Sequence, residues 1–289
     1  MDGTPWIQAK GAQLSEILNS GQIFHWFEQD SYHYGLIDQT PTVLSQVGRR
    51  ILIHQGKISA VKKFLGLNDN HHLIPEQLLK SDRHIQQAHQ VASGVRLMNQ
   101  PRWECLGSFI TSAMKQVSHI RQLSLKTRQA LGTPISLNFT KIKETTLYAY
   151  PTPAQIATAG SEKLRELGYG WRSETLHATA EIISKKPRLL NQINKGSTLE
   201  LLNHLQNFPG VGLKVASCVA LFAYNRKEVF PLDVWTKRVL TAFYFRDQTN
   251  TSDKEYNTFI EQEFGEHAGY IQQQFFHAAR IGKLDLSPK

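Results

Sequence analysis

The chain is expected to be an α+β protein: an N-terminal antiparallel β-sheet domain over residues 1–97, packed on a larger all-helical domain over residues 98–289. Three observations lead there. Short β-branched and aromatic runs, bounded by Gly, Pro and Asp, fill residues 23–54. From about residue 75 the apolar spacing becomes helical. Several of the later helical stretches open on Ser, Thr, Asp or Pro, the residue types that start helices.

Taken in order, residues 23–27, 32–37, 42–47 and 51–54 read as strands of an antiparallel meander, and residues 61–67 either extend the sheet or open the helical part. Helices are then expected from Pro75, over 83–92, over 105–116 after Pro101, over 154–167 after Thr152-Pro153, and over 174–185. Residues 198–208, capped by Ser197 or Thr198, and 213–224 form two helices almost in contact along the chain. Residues 233–245, 253–264 and 269–280 complete the set. His71-His72 reads as loop, and with no second ligand cluster beside it no metal site is expected.

A composition of 40% hydrophobic and 20% charged residues over 289 positions excludes global disorder. The formal charge of +9 points to a polyanion, either nucleic acid or an anionic membrane face. It is unevenly placed. Residues 1–97 hold 9 Lys+Arg and 8 Asp+Glu, which leaves 24 and 16 for residues 98–289, so the anion-binding surface is expected in the second part. Cys105 and Cys218 alone cannot supply a disulfide framework, a four-thiolate iron–sulfur cluster or a structural zinc site. No apolar run approaches the ~18–20 residues that span a bilayer, and the first residues lack a secretory pattern. A reducing compartment without membrane attachment is expected.

The chemistry concentrates at Phe208-Pro209-Gly210-Val211-Gly212-Leu213-Lys214, where one helix ends and another begins. Gly210 and Gly212 are expected to take positive φ and to let another group approach the backbone. The N–H groups opening the second helix, with its dipole, suit a phosphate, and such a contact carries no sequence information. A tight turn with no ligand is the plainer reading. Asp233 follows Lys214 by 19 positions and stands before a helical run as an N-cap. A lysine with a carboxylate suits displacement at a sugar C1′: a neutral amine attacks, the carboxylate stabilises positive charge on the sugar, and the lysine forms a Schiff base. A solvated lysine and a simple cap are the alternatives.

Through Lys214 and Asp233 in these motifs the chain resembles the helix-hairpin-helix, Gly/Pro-Asp superfamily of DNA glycosylases. Three more segments resemble the 8-oxoguanine DNA glycosylase family: Ser20-Gly21-Gln22-Ile23-Phe24-His25-Trp26, Glu104-Cys105-Leu106-Gly107-Ser108-Phe109-Ile110, and Leu164-Arg165-Glu166-Leu167-Gly168-Tyr169-Gly170-Trp171-Arg172. They occur in the family's order between residues 20 and about 280.

The resemblance implies a bifunctional repair enzyme with a helix-hairpin-helix glycosylase domain at residues 98–289. It would flip out and excise 8-oxoguanine from duplex DNA, then nick the abasic site by β-elimination through the Lys214 Schiff base, with Asp233 stabilising the sugar cation. It further implies that the Gly21 carbonyl accepts from N7–H of 8-oxoguanine and that Cys218 and Phe276 sandwich the base. Gln272 would read its Watson–Crick edge, Gly210, Val211 and Gly212 hold a phosphate, Trp171 wedges the stack, and Arg172 contacts the orphaned cytosine. No cofactor is required, although a cation bridging the hairpin backbone and a DNA phosphate is compatible. The expected partner is double-stranded DNA containing 8-oxoguanine, met by a monomer in the cytoplasm or nucleoid of a bacterium or the nucleus of a eukaryote.

Three positions depart from the family pattern. Met114 stands where an asparagine fills the space left by the flipped base, His119 where a second arginine reads the opposite cytosine, and Trp235 where a histidine approaches the DNA backbone. The first two imply a weaker opposite-base preference than in the eukaryotic members. The alternatives are a glycosylase for an alkylated purine or oxidised pyrimidine, and a non-catalytic helix-hairpin-helix DNA-binding protein.

Overall fold

The computed structural model describes residues 3–68, 74–112, 116–246, 248 and 250–286. Its antiparallel sheet has five strands, β1 (Trp6–Gln8), β2 (Phe27–Gln29), β3 (Tyr32–Ile37), β4 (Thr40–Val47) and β5 (Arg50–Gln55), in the order β1-β5-β4-β3-β2. Asp30, Asp38 and Gly48, all at positive φ, turn the three hairpins. The expected strand at 23–27 is corrected: Ile23 to Trp26 join no ladder, and β2 starts only at Phe27. Ile23 and Trp26 pack into the sheet core while Phe24 enters the helical core, so the segment is buried on two sides with no neighbouring strand to pair with.

Helix α1 (Leu14–Asn19) leads into this segment, and α2 (Ile58–Phe64) shows that the ambiguous stretch after the sheet is helical. Ile17, Leu44, Ile51, Val61 and Phe64 close one face of the sheet. The remaining helices are α3 (Glu76–Ser81), α4 (Arg83–Ala92), α5 (Arg102–Ser112), α6 (Val117–Leu131), α7 (Pro153–Glu166), α8 (Arg172–Lys185), the short α9 (Leu189–Gln192), α10 (Thr198–Gln206), α11 (Leu213–Tyr224), α12 (Val234–Tyr244), α13 (Asp253–Glu263) and α14 (Ala268–Arg280). A second hairpin, β6 (Pro134–Ser136) with β7 (Thr146–Tyr148), sets Leu147 and neighbouring Leu137 and Ile142 against Tyr34, Leu36 and Val43, which covers the other face of the sheet.

The expected helix over 105–116 is two helices. α5 ends at Ser112, and Gln116, in extended conformation, precedes α6. Met114 and His71-His72 lie outside the described residues. Thr152, Ser197, Asp233 and Ser252 each form a reciprocal capping box, worth about 1 kcal/mol apiece. Every residue of α11 from Val215 onward is buried, which places this helix at the centre of the helical core. α4 packs on α14, so residues 83–92 share their core with the helices that follow.

One buried ion cluster joins the two parts. Glu104 of α5 meets His25 Nδ1 at 3.0 Å and Arg128 Nη2 of α6 at 2.5 Å. Burial alone would raise its pKa, but Arg128 and His25 hold the carboxyl at about 2. His25 Nε2 faces the Leu36 carbonyl at 2.9 Å, so the cluster also reaches β3.

Candidate active site

A cavity of about 700 Å³ opens where the α1–β2 loop, α5, α6, α11, the 231–235 segment and α14 meet. Gly21, Lys214, Cys218, Asp233, Gln272 and Phe276 all line it. Six positions spread over more than 250 residues of sequence thus share one chamber, large enough to admit a small organic group.

The turn between α10 and α11 carries Lys214 into the cavity. Gly210 has φ +66°, and a Cβ there would stand 2.3 Å from Thr175 Cγ2, so only glycine fits. Gly212 corrects the expectation of two positive-φ glycines. Its φ is −82°, it is the N-cap of α11, and nothing lies within 4 Å of where its Cβ would stand. Its missing side chain leaves the first N–H groups of α11 uncovered, and no side chain caps them. Val211 is buried and its N–H donates to the Phe208 carbonyl at 3.1 Å, so it braces the turn from inside.

Lys214 is half-buried, with Nζ 5.6 Å from the Phe109 ring centroid. Cys218, one turn along the same face, is within hydrogen-bonding reach of it. Burial pushes the Cys218 thiol up to about 11, with Lys214 opposing and Asp233 adding to the rise. The thiol therefore stays protonated at neutral pH and acts as a wall. Asp233 is clamped at the start of α12: Oδ1 accepts from Thr236 N at 2.9 Å, and its own N–H donates to Thr236 Oγ1 at 2.9 Å. A cap of this kind fixes the position of a carboxylate.

Gly21 has φ +86°, and a Cβ there would lie 2.9 Å from Phe276 Cε1. Its turn is held from below. Gln22 donates to Ser20 Oγ and to the Arg96 carbonyl, both at 2.8 Å, and accepts from Met98 N at 2.9 Å. Gln100 donates to the Gln22 carbonyl and, through its backbone, to Phe222 of α11, which ties the Gly21 turn to the helix bearing Lys214. Among the described residues no group donates to the Gly21 carbonyl. The three consecutive glutamines of α14 behave differently. Gln274 pairs with His89 and Gln273 donates to the Ser20 carbonyl, while Gln272 donates to the Pro231 carbonyl at 3.4 Å and leaves a buried Oε1 without a partner. That orphan acceptor in a cavity wall calls for an N–H from a ligand.

Of the other positions expected near DNA, Trp171, Arg172 and His119 lie outside the cavity lining. Trp171 is 58% exposed ahead of α8. Arg172 is buried in the first turn of α8, 4.6 Å from the Trp171 ring, and burial lowers its pKa. His119 is exposed on α6. Trp235 lines the cavity mouth with Arg238 5.5 Å from its ring. Sequence reasoning missed Arg121 and Arg280, which line the cavity with no local motif to mark them. Phe109 lay within a quoted motif but was given no role there. Among the described residues no group of three or more His, Cys, Asp or Glu is placed to hold a metal, and no helix is long and apolar enough to cross a membrane.

Two family models match the chain: the HhH-GPD superfamily of base excision DNA repair proteins over residues 121–262, and the N-terminal domain of 8-oxoguanine DNA glycosylase over residues 6–106. An N-glycosylase/DNA lyase of Saccharomyces cerevisiae is 25% identical over 279 residues, covering 85% of this chain and 72% of the relative. A probable N-glycosylase/DNA lyase of Methanothermobacter thermautotrophicus is 34% identical over 125 residues, 42% of this chain but only 38% of the relative. A Clostridium acetobutylicum 8-oxoguanine glycosylase/lyase, solved with double-stranded DNA containing cytosine opposite 8-oxoguanine, has the same fold at a TM-score of 0.85 and 23% identity, covering 95% and 93% of the two chains.

Proposed function

The chain belongs to the HhH-GPD superfamily of base excision DNA repair proteins, and from that premise we propose that it excises 8-oxoguanine from duplex DNA and nicks the resulting abasic site. The observation that carries this reading is the convergence of Lys214, Asp233, Cys218, Gln272, Phe276 and Gly21 on one cavity. An amine, a capped carboxylate, a flat wall and two unpaired acceptors match a flipped nucleoside group by group.

The base enters between the Cys218 thiol and the Phe276 ring. The Gly21 carbonyl is an acceptor for N7–H, which 8-oxoguanine has and guanine lacks, so the same group attracts the lesion and repels the normal base. Gln272 Oε1 accepts from the base's N–H groups. Lys214, as the neutral amine, bonds to C1′ as the bond to the base breaks, while Asp233 lowers the energy of the positive sugar. Loss of a proton and opening of the ring give the imine. Removal of a C2′ proton then expels the 3′ phosphate, which nicks the strand. The uncovered N–H groups of Gly212 and Leu213 hold a backbone phosphate, and the surplus of basic residues in the second part supports the duplex around it.

Incubation with an 8-oxoguanine duplex and borohydride tests this directly. The intact protein is expected to release the base and to leave a covalent protein–DNA adduct. Lys214→Gln is expected to leave none. An adduct with that variant would overturn the assignment.

A further inference from the structure

At the Gly21 end of the cavity two arginines from different helices meet on one residue. Arg121 of α6 donates through Nη2 to Asn19 Oδ1 at 3.0 Å, and Arg280 at the end of α14 donates through Nη2 to the Asn19 backbone carbonyl. Both line the cavity, and the Arg280 guanidinium carbon lies 6.0 Å from the Phe276 ring centroid. Among the described residues neither forms an ion pair with a carboxylate, and each leaves a buried Nε without a partner. Two like charges side by side and partly desolvated are costly until something electron-rich completes them. Burial lowers the pKa of both, and the charge of Arg121 lowers that of Arg280 further.

Among the described lining residues, Lys214 apart, no side chain is placed as an acid for a departing base. The described lining residues include no histidine and one carboxylate, Asp233, which is clamped at the start of α12; Cys218 holds its proton up to about pH 11. Fixed positive charge at the base's edge is a further way to help it leave.

We propose that Arg121 and Arg280 are catalytic groups that contact the exocyclic oxygens of the extruded base and stabilise the negative charge it takes away. The C1′–N9 bond breaks with its electron pair going to the base, Lys214 Nζ bonds to C1′ and releases a proton to water, and the base anion takes a proton from water after release. The base, rather than a DNA phosphate, is the favoured occupant because the pair stands beside Phe276 and next to the Gly21 turn, whereas the uncovered backbone N–H groups stand at the start of α11. This inference rests on the excision reading above.

The test compares two reactions of the full chain: single-turnover release of 8-oxoguanine, and strand cleavage at an abasic site made beforehand, where no base is present. Arg121→Leu and Arg280→Leu are each expected to slow release by about 10- to 100-fold. Cleavage at the abasic site should change by less than about threefold, which also reports that the variants fold. Arg121→Lys and Arg280→Lys, which keep the charge, are expected to recover part of the lost rate. Unchanged release in the leucine variants would overturn the proposal, and so would an equal loss in both reactions, since that marks a phosphate contact or a scaffold role. If the intact protein releases no 8-oxoguanine, the excision reading itself falls; if it does and the variants match it, this inference alone falls.

Discussion

In the base pocket, the Gly21 turn and Gln272 are held by buried hydrogen bonds to groups far along the chain and Asp233 by the capping box it forms with Thr236, whereas on the face expected to meet the opposite strand Trp171 and His119 stand exposed. Gly21, Lys214, Cys218, Asp233, Gln272 and Phe276, the positions the family resemblance points to, line the cavity, whereas Trp235 at the cavity and His119 on the exposed face of α6 depart from the family pattern. The two regions face different demands. A pocket that separates a lesion from a normal base must set an acceptor to within a fraction of an ångström, which only a packed surround can do. A surface that meets DNA works through charge and stacking, which tolerate motion and substitution. Changes inside the pocket should therefore be severe and specific, and changes outside it mild.

The largest effect is expected at Asp233. Asparagine caps helices about as well as aspartate, so Asp233→Asn should leave stability within about 0.5 kcal/mol. Excision should nevertheless fall by about 10²–10³-fold, because the carboxylate's charge is lost where positive charge develops. Thermal unfolding beside single-turnover kinetics checks both halves. A matching loss of stability and rate would mean that the cap, and not the charge, matters.

Glu104 breaks the comparison from the other side, since it is buried yet lies outside the pocket lining. Its pKa falls from the ordinary 4.5 to about 2 on folding. A depressed carboxylate contributes stability that is complete above its unfolded pKa and is lost as pH falls through the folded one. The protein should thus lose stability progressively between about pH 4.5 and pH 2. Glu104→Gln leaves Arg128 buried without a counter-charge and should cost about 3–5 kcal/mol at neutral pH, with a flatter acid limb in a denaturation series.

Gly21→Ala comes next. It meets two obstacles, a left-handed backbone costing about 1–2 kcal/mol for an L side chain and a methyl group 2.9 Å from Phe276. Excision of 8-oxoguanine should drop by about 10- to 100-fold, since a shift of an ångström at the acceptor costs on that order. Cleavage of a ready-made abasic site should be far less affected.

The same contrast explains what could be read from the letters alone. Helices with a side-chain cap and several turns, such as Thr198–Gln206 after Ser197, show both a start signal and a period. β1, α1 and the β6–β7 hairpin run three to six residues, too short for a period to emerge. The break at Ser112 was hidden because apolar residues recur on both sides of it. Lys214 and Asp233 were legible because each sits in a local motif whose geometry follows from its neighbours. Arg121 and Arg280 were not, because their shared partner Asn19 lies 102 and 261 positions away, and nothing beside an arginine in sequence reveals such a meeting. The burial of Arg172 has the same origin: it follows Gly170-Trp171 in sequence, and tertiary packing takes it inside.

The smallest effect is expected at the outer face. Trp171 is exposed and caps nothing through its side chain, so Trp171→Ala should leave the unfolding midpoint unchanged and weaken excision by about tenfold, the worth of one stacked ring. Opposite-base choice should be weaker still. A bidentate reader contributes about 1–3 kcal/mol of discrimination, and His119 has no guanidinium fork with which to supply it. Arg172, the other expected reader, is buried at the start of α8 with its guanidinium 4.6 Å from the Trp171 ring. Duplexes with 8-oxoguanine opposite C, A, G and T should therefore be cleaved at rates within about tenfold of one another, a spread of about 1.4 kcal/mol. His119→Arg should widen that spread in favour of cytosine without altering cleavage of a ready-made abasic site. Cleavage confined to cytosine in the unaltered protein would show that the outer face selects as strictly as the pocket without an arginine at position 119.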